Sequence, residues 1–102
     1  MKAATFQLPF PLKRVLEMRR LSLVVYKAYF DAIVSGEKKI EYRDATDYWM
    51  RRLLKPDGTE HQFDEIEFRN GYQKAAPRAV FVCEGINRVG LRFEIHIGKR
   101  IR

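Results

Sequence analysis

The sequence predicts an α+β protein, a small mixed β-barrel of about five strands with two short helices. Three observations carry that expectation. The chain of 102 residues suffices for one core and is too short for two lobes. Strand-like and helix-like segments follow one another as β-α-β-α-β-β-β, with no internal repeat or low-complexity segment. The connections are too short for the crossovers of a doubly wound parallel sheet.

Leu21–Tyr26 is an apolar run and reads as a buried strand. In Ala28–Ser35, the residues Tyr29, Phe30, Ile33 and Val34 share one helical face, and Gly36 supplies the stop. Lys38–Asp44 alternates. Ile40 and Tyr42 fall on one face, with Lys39, Glu41 and Arg43 on the other. Thr46 or Asp47 can cap a second short helix. Trp49, Met50, Leu53 and Leu54 form its core stripe, opposite a basic stripe of Tyr48, Arg51, Arg52 and Lys55. Pro56-Asp57-Gly58 is a turn.

The second half reads as strands. Asp64–Arg69 turns Ile66 and Phe68 inward, and Asn70-Gly71 signals a tight turn. Arg78–Ile86 is almost continuously apolar, as a central strand would be. Leu91–Ile97 alternates, with Leu91, Phe93, Ile95 and Ile97 expected inside and Arg92, Glu94 and His96 outside.

Composition narrows the function classes. Hydrophobic residues at 46% and charged residues at 32% are an ordinary globular mixture. Apolar stretches such as Leu23-Val24-Val25-Tyr26 fall far short of the ~20 residues of a membrane span, so no membrane partner is expected. The single Cys83 excludes an intramolecular disulfide, and with two histidines it leaves no zinc cage. Cys83 sits in the most apolar strand as a buried thiol, His61 in a polar loop and His96 on an outer strand face. There is no phosphate-binding loop, dinucleotide fingerprint, catalytic triad or acidic metal cluster, and no cofactor is expected.

The formal charge of +7 favours polyanionic partners. More than half of it lies in residues 1–20, where five basic residues face only Glu17. This segment is expected to be a basic N-terminal arm, with the domain over 21–102. The arm is either loosely docked and without consequence or a tracker of a phosphate backbone. A presequence is the weaker reading. Pro9-Phe10-Pro11 interrupts any signal-peptide core and no small-residue cleavage site follows, so a cytoplasmic location is expected.

The segment from Gly36 to Asp44 carries the most chemistry. Glu41 and Arg43 share a strand face, with Lys38 at the mouth. Two readings stand beside each other: a solvated strand face with surface ion pairs, or a cluster that grips a phosphate or the polar edge of a base. In the second, Glu41 is expected to organise the two cations rather than to touch ligand.

Gly36-x-Lys38-x-x-Glu41-x-Arg43, after a strand and a short helix, resembles the G-x-K-x-x-E-x-R signature of the ASCH domain. That family belongs to the PUA-like barrel superfamily. Lys27 with Tyr29-Phe30, Tyr48-Trp49 with Arg51, the stretch Asp64–Tyr72 and the closing Phe93–Gly98 resemble the family as well, and the likeness covers about residues 21–101. It implies a PUA-like barrel with a cleft that binds RNA or nucleotides, lined by Lys38, Glu41 and Arg43. Lys27, Arg69 and Tyr72 are its expected neighbours. Tyr48 on the basic helix face is a candidate stacking surface, with Arg51 beside it, whereas Trp49 is read as core.

Two other readings remain. Relatives with a similar signature hydrolyse the amide of acetylcytidine, using a Thr three positions after the Lys. Here Glu41 holds that position, and an enzyme acting on a modified nucleoside or on RNA would rest on Lys38 and Glu41. A protein-interaction domain is the third reading. The ligand, strand order and oligomeric state are not set by the sequence.

Overall fold

The structure, a computed structural model, describes residues 18–102. The chain runs β1 (Arg20–Val25), α1 (Lys27–Ser35), β2 (Ile40–Asp44), α2 (Asp47–Leu53), β3 (Glu65–Asn70), β4 (Arg78–Val89) and β5 (Arg92–Arg100). The strands form one sheet in the order β1-β3-β4-β5-β2, curled into a half-barrel and accompanied by the two helices. β1 and β3 are parallel, and every other neighbouring pair is antiparallel.

The curl has a local cause. β4 shifts register against β5 between Phe81 and Cys83 and again between Cys83 and Gly85. Gly85 has φ +137°, a conformation that side chains rarely tolerate. Such irregularities bend a strand and increase its twist. The concave face carries Leu21 and Leu23 of β1, Ile66 and Phe68 of β3 and Phe93 and Ile95 of β5. Ile33 of α1 and Leu53 of α2 close over them. Phe68 and Phe81 meet edge to face at 5.8 Å.

Both helices are bounded as the sequence suggests. Gly36, at φ +87°, ends α1 and donates its N–H to Ile33 O at 3.2 Å. Thr46 caps α2, its Oγ1 accepting from Trp49 N at 3.3 Å. Asp47 in the first turn and Arg51 and Arg52 in the last suit the helix dipole. The Pro56-Asp57-Gly58 turn is closed by Gly58 N–H donating to Lys55 O at 2.9 Å. β4 is the central strand and runs on to Val89.

Several expectations are corrected. In β2, Glu41 and Arg43 do not form a solvated strand face. Glu41 pairs with Ile95 and Arg43 with Phe93, so both charged residues share the face of the buried core. Tyr42 lies on the other face, 42% exposed, with the Arg92 guanidinium 4.3 Å over its ring. On α1, Phe30 and Ile33 face the core, while Tyr29 and Val34 are exposed. Leu91 sits outside, 84% exposed between β4 and β5. Asn70-Gly71 opens a connection over residues 71–77 instead of a tight turn. β1 opens at Arg20, which pairs with Glu65, and Arg19 N bonds Asp64. These two arginines therefore lie with the domain, and residues 1–17 of the expected arm fall outside the described residues.

β1 and β2 are the outer strands of the sheet. Two backbone oxygens of β1 take bonds from arginines: Ser22 O from Arg52 Nη2 at 3.1 Å, and Val24 O from Arg43 Nη2 at 3.0 Å. Unpaired edge groups are a liability in a sheet, and these guanidinia satisfy two of them. Both lie against Trp49, at 4.9 Å for Arg43 and 5.7 Å for Arg52. No helix among the described residues is long and apolar enough to cross a membrane.

Candidate functional site

A cleft of about 720 Å³ opens where the curled sheet brings the end of β1 near β2. Its walls come from the β1–α1 junction, β2, the start of α2 and the exit of β3. Gly36 ends α1, and Lys38 N–H returns to Ala32 O at 3.0 Å. This brings Lys38 to the cleft just before β2 begins. The register of β2 then directs Glu41 and Arg43 inward.

Glu41 is the centre of the cluster and is only 7% exposed. Its Oε2 accepts from Arg43 Nη2 at 2.7 Å and from Arg43 Nε at 3.2 Å. Its Oε1 lies 3.4 Å from Lys38 Nζ. Desolvating such charges is costly, and mutual pairing offsets that cost only with good geometry. Here Arg43 adds its bond to Val24 O and its stacking on Trp49. The Lys38 ammonium stands 5.3 Å from the ring centres of both Tyr29 and Tyr42. That is within the range of cation–π attraction.

Asp44 also lines the cleft. Lys38 and Arg43 are thus balanced by Glu41 and Asp44, and the lining carries no formal net charge. It offers directed donors and acceptors between aromatic walls rather than a strong positive potential.

The sequence-based site residues divide. Lys38, Glu41, Arg43 and Tyr72 line the cleft. Lys27 does not; it pairs with Asp31 at 2.7 Å on the exposed side of α1. Tyr48 lies outside, its hydroxyl accepting from Arg52 Nη1 at 2.9 Å. Arg51 is exposed and donates to Asp47 O within its own helix. Arg69 lies outside the lining and donates to Gln73 O at 2.9 Å. Trp49, read as core, packs against the core and also forms a cleft wall.

Sequence reasoning missed Tyr26 and Tyr29 as lining residues, because aromatics beside an apolar strand read as core. It also missed Arg52 as a cover for β1. That contact joins residues 30 positions apart and leaves no local pattern.

A second hollow of about 360 Å³ lies beside His61 and Cys83. Burial pushes the Cys83 thiol up, away from the reactive thiolate. Burial and the nearby Arg19 and Lys55 lower His61, whose Nδ1 lies 3.2 Å from Arg19 Nη1. His61 keeps partial solvent exposure beside Phe63, 6.0 Å between ring centres. Among the described residues no His, Cys, Asp and Glu side chains group to hold a metal ion.

No protein-family model, curated protein or solved structure matches this chain.

Proposed function

We propose that this chain is a small ASCH-type module of PUA-like fold that binds RNA or a nucleotide in the cleft beside β2. A cytoplasmic location belongs to the same proposal. The observation that carries it is the convergence of Lys38, Glu41 and Arg43 on one concave surface walled by Tyr29, Trp49 and Tyr72. A base fits this chemistry. Its faces stack on aromatic rings, and its edge presents donors and acceptors to Lys38 and Glu41. The balanced lining suits a base edge better than a bare phosphate.

An enzyme of the same fold draws less support. Thr46 does line the cleft, but its hydroxyl is engaged as the cap of α2. No covalent step is proposed for it.

The test is a titration of short single-stranded RNA with wild type and Lys38→Ala at several salt concentrations. Binding weakened about tenfold by the substitution supports the proposal. Equal affinity for both proteins, or no binding to wild type, overturns it.

A further inference from the structure

We infer that the cleft receives one unit of a single strand, whose next base stacks outside on Tyr26 and Tyr72 and whose phosphates pass over the β3–β4 connection. This rests on the proposed nucleotide-binding reading and goes beyond it by naming a strand, rather than a free mononucleotide, as the ligand.

The rim of the cleft is the first argument. Tyr26 is 80% exposed and Tyr72 is 85% exposed. They follow the ends of β1 and β3, which are adjacent parallel strands with Val25 opposite Asn70. Both residues therefore follow the same end of the sheet, and both line the cleft. Tyr29 stands 6.4 Å from Tyr26 and continues the lining toward Lys38. Neighbouring exposed rings with no apolar cover are costly to keep unless they meet a partner. Bases stack on such rings without regard to sequence.

Charge is the second argument. The cleft lining is balanced, so phosphates must be neutralised elsewhere. Residues 68–83 contain no acid and three cations, Arg69, Lys74 and Arg78. Arg69 and Arg78 face each other directly across the β3–β4 pair. Like charges so placed destabilise a sheet, and an anion over them relieves the repulsion. Neither arginine has a carboxylate partner among the described residues; they donate instead to Gln73 O and Lys74 O of the connection. The Arg69 Nε is buried with no hydrogen-bond partner. The same connection carries Gly71 and Tyr72 into the cleft wall. A strand leaving the cleft over Tyr72 thus meets these cations next.

The experiment compares the four ribonucleoside monophosphates, a single-stranded RNA of about five nucleotides and its duplex. The single strand is expected to bind at least ~10-fold tighter than any mononucleotide, and tighter than the duplex. Tyr26→Ala with Tyr72→Ala should cost the single strand more affinity than it costs any mononucleotide and so remove that advantage, while Tyr26→Phe with Tyr72→Phe retains it. Lys74→Ala with Arg78→Ala should lower the salt slope of the single strand by about 1.4 and leave the mononucleotides unaffected. A mononucleotide that binds as tightly as the single strand overturns the inference and leaves the cleft reading standing. So does an advantage that survives the double alanine variant. Absence of binding by every probe overturns both.

Discussion

The guanidinium of Arg43 bridges Glu41 and the backbone of Val24. Its Nη2 donates to the carboxylate at 2.7 Å and to the Val24 oxygen at 3.0 Å. One side chain therefore orients the buried carboxylate of the site and ties β2 to β1 across the open side of the sheet. The proposed binding chemistry and fold closure meet in this residue, and Lys38 is the cation of the cluster without a bond to the β1 backbone.

Arg43→Ala is expected to destabilise the protein by about 3 kcal/mol, the low end for breaking a buried pair, because the side chain keeps 19% exposure. Arg43→Lys should recover part of this, since an ammonium cannot repeat the planar fork. Urea denaturation measures both. A loss below about 1 kcal/mol in Arg43→Ala would show that the seam is held by other contacts.

Glu41→Ala is expected to weaken binding of single-stranded RNA although it removes a negative charge. Without the carboxylate, Lys38 and Arg43 repel each other and lose their common direction, which raises the entropy cost of binding. Simple electrostatics predicts tighter binding. Titration of the variant beside wild type separates the two, and tighter binding excludes the organising role.

Gly36→Ala should cost about 1–2 kcal/mol, because φ +87° is a left-handed conformation. A Cβ there meets nothing within 4 Å, so the penalty is purely backbone strain. Thermal unfolding should shift accordingly, with RNA affinity little changed. A large loss of affinity would mean that the strain is relieved by moving Lys38.

His61 makes stability depend on pH. Burial and nearby positive charge lower it from its ordinary value of 6.5. The unfolded chain then binds more protons than the folded one, so this contribution is complete above pH 6.5 and is lost as pH falls through the lowered folded value. Denaturation curves between about pH 7.5 and pH 5 should show falling stability, with a smaller fall in His61→Gln. An unchanged pH profile in the variant would assign the effect to other groups.

The order of elements was legible because each has a local cause: Gly36 and Thr46 punctuate the helices, and β5 alternates cleanly. The face of β2 was not. Alternation gives two faces but cannot say which is inside when the charged one can neutralise itself. Glu41 and Arg43 enter the core side because they pair with each other and with Val24, a contact with no sequence signature. Leu91 failed for a simpler reason, since it falls at the tip joining β4 to β5, where alternation no longer implies burial. Lys38, Glu41 and Arg43 were legible as a set from spacing, whereas Tyr26 and Tyr29 needed the three-dimensional route of the chain.

The pairing of β2 carries a consequence for synthesis. Residues 40–44 leave the ribosome early, yet their strand partner is β5, residues 92–96. A nascent chain that has emerged only as far as β4 holds Glu41 and Arg43 on an unpaired strand. Long-range pairing of this kind is slow, and it leaves strand edges open until the late partner arrives. The cleft is therefore among the last parts of the molecule to be assembled, and a chain ending at β4 lacks the strand that holds Glu41 and Arg43 in register.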